Sequence, residues 1–439
     1  MHYLLRCAFF GLMVSCGWFH AVAAAPAQDW WNAAPVYQTK YYALKSDLDA
    51  KDVKALGEHM DATYESYVRL FSNFSILAKR PPKLYLFLFA DRQDFIKVLP
   101  VHFGVDGQHM GGGCITHNQE TVIVTFRGDK TIESMKGTLQ HEGFHQVANL
   151  FFPNLPVWAN EGLAGLFGRG IMVGDTLAIG EFSQGNKERL LAKIQKKQTK
   201  SLEQLFTMSY EQWHADLNEG EAGPNYVQAW SLVHFFIFAE HRKYEPNFMN
   251  FLMQLNRRVE WKTAFVNAFG TPDFQAMEEK WQAYVQNVPT TDDHQTVRRL
   301  DFLAAGMEEL HKKNIHPASL AELKKHLRDM RFEYTSELYG QSQKLSALRD
   351  DVFEVSCQGS PNEPRFVLTD SRGRILDDHP APKTARPSNL MTVGLDNACF
   401  HADSSIHGRS VEYRFFVTPA NSTETPKNTG KNAVTKKKP

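Results

Sequence analysis

The 439-residue chain has little cysteine, five in all, and no net charge, with 49 basic side chains against 49 acidic ones. A balanced charge gives no overall electrostatic pull toward nucleic acid. Beyond the first two dozen residues there is no apolar run of spanning length, which excludes a stable transmembrane helix from the rest of the sequence. Internal repeats are absent too, so the sequence does not read as a solenoid or a propeller.

The first two dozen residues are different. Arg6 precedes an apolar stretch from Cys7 to Trp18, and Ala21-Val22-Ala23-Ala24-Ala25 follows with small residues. This pattern predicts a secretory signal peptide over 1–25, cleaved after Ala23 or Ala25, and hence a secreted or periplasmic protein. Cys16 is a poor lipoprotein site, because Met13 stands where a leucine is expected. The mature chain then keeps Cys114, Cys357 and Cys399. In an oxidising compartment Cys357 and Cys399 are expected to pair, leaving Cys114 as a buried free thiol.

What the chain does have is His141-Glu142-Gly143-Phe144-His145. On an α-helix, residues four apart lie about 40° apart around the axis and roughly 6 Å along it. Two imidazoles so placed converge on one metal ion, which makes His141 and His145 candidate Zn²⁺ ligands. Glu142, about 100° further around, does not compete with them and is the candidate general base for an attacking water. Thr131 or Asp129 can cap the helix, and Ile132, Met135, Leu139, Phe144, Val147 and Leu150 recur at helical spacing, so a helix is expected over 131–150.

Sixteen residues after His145 comes Glu161, in Trp158-Ala159-Asn160-Glu161-Gly162. Pro153 and Pro156 bound a turn, and 157–167 reads as a second helix that would return Glu161 to the histidines. Two histidines, one glutamate and an open position make a catalytic rather than a structural zinc set. Read alone, Glu161 has a surface carboxylate as its alternative reading, against which its apolar flanks count.

HEGFHQ followed by LPVWANEGLAGLF resembles the secreted, gluzincin-like bacterial proteins of the peptidase MA-like superfamily, over roughly 41–285. The resemblance implies one zinc ion held by His141, His145 and Glu161, with Glu142 as base. It also implies an α+β, zincin-like metallopeptidase fold, a small sheet beside the motif helix. Asn225-Tyr226-Val227-Gln228-Ala229-Trp230 is similar to the tyrosine-bearing helix of such proteins. No GxMEN-type motif is present, so an exopeptidase activity like that of aminopeptidase N is not supported.

Tyr226 has two readings. Its phenol is a candidate catalytic donor to a developing oxyanion, yet Tyr226, Trp230, Val233, Phe236 and Ile237 also form a core-like helical stripe. His234 reads as a second-sphere hydrogen-bonding partner or a satisfied core imidazole.

The remaining pattern predicts a helix over 47–74, strands at 84–89 and 121–126, and a short helix over 92–99. Gly111 to Cys114 reads as a flexible turn, and the resemblance implies that 121–126 is the edge strand bordering a cleft, with a plain structural strand as the alternative. Residues 216–224 read as a loop and candidate flap. The expected organisation is a metallopeptidase domain over 26–290, a helical segment over 291–350, a small β-rich module over 351–418 and a disordered Lys-rich tail over 419–439. The functional expectation is an exported zinc metallopeptidase acting on a peptide or protein, with a non-catalytic envelope-binding protein of the same fold as the alternative. The β-rich module is the candidate for envelope association. Substrate and oligomeric state are not encoded in any local pattern.

Overall fold

Strands β1 (Val36–Gln38), β2 (Tyr42–Ser46), β3 (Leu84–Phe89), β4 (Gly112–His117) and β5 (Glu120–Phe126) form one sheet in the order β1-β2-β3-β5-β4. The three inner strands run parallel, and β1 and β4 are antiparallel additions at the two edges. Strand alternation divides β3 between two cores. Leu84, Leu86 and Leu88 face one, while Tyr85, Phe87 and Phe89 face the other. Both faces being covered explains why β3 reads as an unbroken apolar run. The computed structural model describes residues 34–71, 83–108, 110–117, 120–218, 222–376, 387–407 and 410–420. The expected signal peptide, the tail beyond 420 and residues 219–221 of the expected flap lie outside the described residues.

One face carries α1 (Ala50–Leu70) and α3 (Ile132–Phe151), the other α2 (Arg92–Phe103). Helix α3 starts where Thr131 accepts a hydrogen bond from the Ser134 amide at 3.1 Å. The Gln146 amide fixes it to the sheet by donating to Thr121 O at 2.6 Å and Tyr85 O at 3.1 Å. Tyr67 of α1 donates to Gln140 O at 2.5 Å, and its ring meets Phe167 edge-on at 4.6 Å. A Cβ on Gly143 would lie 2.8 Å from the Tyr67 hydroxyl and 2.7 Å from Met60 Cε, so only glycine lets α1 approach so closely between the two histidines.

The chain turns at Pro153–Pro156 into α4 (Val157–Gly168) and then a hairpin, β6 (Ile171–Val173) and β7 (Thr176–Ala178). Helices α5 (Gln184–Gln195), α6 (Leu202–Thr207), α7 (Tyr210–Asn218), α8 (Ala222–Arg242), α9 (Glu245–Asn256), α10 (Trp261–Phe269) and α11 (Phe274–Asn287) extend the first core around Trp158, Phe206, Phe248 and Phe251. Backbone geometry leaves the helix at Ala239, near the end of α8, and Glu240 and His241 have positive φ.

A second core forms under β8 (Thr290–Thr291), α12 (Asp293–Lys312), α13 (Leu320–Asp329), the hairpin β9 (Glu333–Leu338) and β10 (Gln341–Ser346), β11 (Cys357–Gln358), and a four-stranded antiparallel sheet. That sheet comprises β12 (Arg365–Thr369), β13 (Asn389–Val393), β14 (Ala398–His407) and β15 (Ser410–Pro419). Phe302, Leu303, Phe366, Phe400 and Val417 share this core with Ile171, Val173 and Ala178 of the β6–β7 hairpin. The molecule is therefore mixed α+β, about half helical, with several small sheets. No described helix is long and apolar enough to cross a membrane.

Several expectations are corrected. Residues 291–350 are not wholly helical: 333–346 is a hairpin whose Tyr339-Gly340 turn has positive φ at both positions, the geometry that matches strand twist. Strand 121–126 is internal, and the true edge is β4, built from the glycine-rich stretch read as a turn. There a Cβ on Gly112 would lie 2.7 Å from Thr125 Oγ1, so the missing side chain is what lets β4 pair with β5. In the expected flap, the residues described on either side of 219–221 are helical, ending α7 and beginning α8. Cys357 and Cys399 are separate thiols, the latter 2.8 Å from Thr392 O, whereas Cys114 is a buried thiol outside any disulfide, as expected, with Asn149 Nδ2 donating to its Sγ at 3.8 Å.

Candidate metal centre

His141 and His145 project from successive turns of α3 with their rings 4.7 Å apart and their Nε2 atoms 3.1 Å apart. Glu161, on α4, places Oε2 3.5 Å from each Nε2. The three atoms form a triangle with edges of 3.1, 3.5 and 3.5 Å. Bonds of about 2.0–2.1 Å at tetrahedral angles would set donor atoms roughly 3.3 Å apart. The residues present fit the ion. Glu161 Oε2 is buried without a well-formed hydrogen bond, an orphaned acceptor that a cation would satisfy.

The turn that returns Glu161 is short because Pro156 precedes α4 directly, and Asn160 N already bonds back to Pro156 O. Gly162 brings α8 in. A Cβ there would lie 2.6 Å from Val233 Cγ2 and 2.7 Å from Ala229 O, so α4 and α8 meet backbone to backbone beside the site.

Electrostatics follow from this crowding. Burial alone would push His145 down, but the Glu161 carboxylate, by charge and hydrogen bonding, more than reverses it and lifts His145 to about 9. Burial would likewise raise Glu161, yet His145 and His141 together hold it well below the usual carboxylate range. His141 is the most open of the three, its side chain 26% exposed against 10% for His145 and 11% for Glu161. The ligand triangle is therefore most accessible from the cleft on the His141 side.

That cleft encloses about 480 Å³ and is lined by Gly137, Thr138, His141, Glu142, Gly168 and Arg169. Glu142 lines the same cleft, one residue on from His141 and so about 100° round the helix from it. Tyr226, on α8, packs edge-on against Trp213 at 5.1 Å. Burial, then the nearby Glu161 charge, hold its phenol well above the usual range, and Glu142 adds to this. Tyr226 thus lies within electrostatic reach of both carboxylates as a neutral hydrogen-bond donor.

Four expected residues, His141, Glu142, His145 and Glu161, are brought together, with Tyr226 beside them. His234 is elsewhere. Its Nδ1 meets the Tyr284 hydroxyl at 2.8 Å and its Nε2 meets Gly180 O at 2.9 Å, which makes it a satisfied core imidazole.

Two further residues escaped sequence reading. Asn160 Oδ1 lies 3.1 Å from His145 Nδ1, and Asn160 Nδ2 donates to the Tyr210 hydroxyl at 3.1 Å. With Nδ1 as donor, the lone pair of His145 Nε2 is left facing Glu161 and the metal position. The signal for Asn160 was its place next to Glu161 on a helix. Tyr210, fifty residues along the chain, carried none.

A second carboxylate–histidine group, Glu181, Asp292 and His294, has donor atoms within 4.8 Å of one another. Its acids are committed to the start of α12, where Asp292 caps the Gln295 amide and Glu181 accepts from Asp293 N. No family model matches the chain, and no curated protein is detectably similar to it.

Proposed function

We propose that the protein is an exported zinc metallopeptidase with a gluzincin-type site on a zincin-like fold. The observation that carries this reading is the ligand triangle, whose edges suit one tetrahedral ion and whose third donor is a buried, otherwise unsatisfied carboxylate oxygen. A mixed sheet beside the motif helix supports the zincin reading of the fold.

His141, His145 and Glu161 would hold the ion, and Zn²⁺ so bound supplies Lewis acidity to the scissile carbonyl and to the attacking water. Glu142, on the cleft wall, takes the proton from that water and returns it to the leaving amine. Tyr226, held neutral, donates a hydrogen bond to the oxygen of the tetrahedral adduct. Asn160 keeps His145 in the tautomer that presents Nε2. The exposed edge of β4 offers main-chain groups along which an extended peptide can lie.

The test combines metal analysis with cleavage of a peptide library by the wild type and by Glu142→Gln. The expected result is one zinc per chain in both proteins and cleavage by the wild type alone. Zinc in both with cleavage by neither would leave a binding protein that keeps the fold. Failure to take up zinc after reconstitution would remove the metal reading itself.

A further inference from the structure

One wall of the cleft carries charge that the reaction outlined above does not use. Arg169 caps the end of α4, eight residues after Glu161 and about 80° further round the helix axis. Its guanidinium folds back along the helix, donating from Nη1 to Gly165 O at 3.0 Å and lying 4.9 Å from the Trp230 ring centre. Arg169 lines the same cleft as His141 and Glu142. Among the described residues no carboxylate pairs with it or with Arg189, and the charge of Arg189 adds to burial in depressing the Arg169 guanidinium.

Arg169 keeps solvent-exposed surface at the cleft wall, and a substrate carboxylate would supply the counterion that the described residues do not. A guanidinium has five N–H donors in a fork that fits a carboxylate. One is spent on Gly165 O, which leaves the outer edge for a ligand. By helix geometry the guanidinium sits roughly 6–9 Å along α4 from Glu161. An extended peptide covers that distance in about two residues.

We infer that Arg169 is an anion subsite that selects peptides bearing a carboxylate about two residues from the scissile bond. The carboxylate can be the C-terminal one or that of an aspartate or glutamate side chain. This inference rests on the peptidase reading for the position of the scissile bond, but the anion subsite exists independently of catalysis.

The test uses three sequence-matched probe peptides: one with a free C-terminus, one amidated, and one amidated with aspartate two residues in. Binding is measured by fluorescence anisotropy on the full-length mature protein, metal-free and zinc-loaded, in the Glu142→Gln background, and cleavage is followed by mass spectrometry in the wild type. The expected result is binding of a carboxylate peptide at least roughly tenfold tighter than the plain amide, a preference erased by Arg169→Met and partly restored by Arg169→Lys. Whichever carboxylate peptide is preferred identifies the source. Equal binding of all three probes, or a preference that survives Arg169→Met, overturns the proposal. A carboxylate preference without cleavage of any peptide supports the anion subsite and counts against the peptidase reading instead.

Discussion

Asn160 Oδ1 lies 3.1 Å from Nδ1 of His145, so the residue before one metal donor orients another on a different helix. The contact couples α4 to α3 at the site, and it continues through Asn160 Nδ2 to Tyr210 on α7. Three helices thereby share responsibility for one imidazole.

Removing that link should loosen the metal without unfolding the chain. Asn160→Ala is expected to weaken zinc binding by about 10–100-fold, measured by competition with a chromophoric chelator. Tyr210→Phe, which keeps the ring and removes the hydroxyl, should have a smaller effect in the same direction. Unchanged affinity in Asn160→Ala would mean that Asn160 does not set the tautomer.

The His145–Glu161 pair sets the pH behaviour of the metal-free protein. His145 is lifted from 6.5 to about 9 when folded, so its contribution to stability is complete below pH 6.5 and is lost as the pH climbs through about 9. Glu161 is depressed, so its contribution is complete above its ordinary value of 4.5 and is lost as the pH falls through its folded value. Urea denaturation of the metal-free protein should therefore show the pair's full contribution between pH 4.5 and 6.5. Zinc must displace the His145 proton, so affinity should rise by about tenfold per pH unit up to that folded value. A flat affinity profile between pH 6.5 and 8 would contradict the raised His145.

Gly162 is where α4 and α8 touch. Gly162→Ala puts a methyl 2.6 Å from Val233 Cγ2 and 2.7 Å from a backbone oxygen, of which only the first can yield. The expected loss is about 1–3 kcal/mol in chemical denaturation. Because the displaced helix carries Tyr226, turnover should fall more than zinc binding does. Equal stability of the two proteins would show that the helices separate freely.

None of the three cysteines of the described region is in a disulfide. The denatured but unreduced mature protein should take up three equivalents of maleimide, counted by mass spectrometry. Uptake of one equivalent would restore the Cys357–Cys399 bridge.

The candidate centre was largely legible because its information is local. HExxH fixes two donors by helical period, and Pro153 and Pro156 announce the reversal that returns Glu161. The motif helix was placed nearly to the residue for the same reason, since Thr131 caps it and the apolar spacing runs to Leu150. What escaped depends on contacts between distant segments. Tyr210 reaches Asn160 across fifty residues, and β4 is a strand only because β5 lies beside glycines that leave it room. The 333–346 hairpin was misread because its core-facing face carries only Tyr334, Leu338 and Leu345, with Ser336 interrupting the stripe, so the two-residue period is faint.

The β6–β7 hairpin follows the Glu161 helix directly, yet it rests against the last strand of the described chain. A Cβ on Gly174 would lie 2.1 Å from Phe415 O, and Asp175 pairs with Arg414 at 3.2 Å across 239 residues. Contacts of such separation form late, because the intervening loop must close first. In a chain that emerges from its amino terminus, the hairpin that continues the Glu161 helix therefore takes its final place only after β15 has arrived.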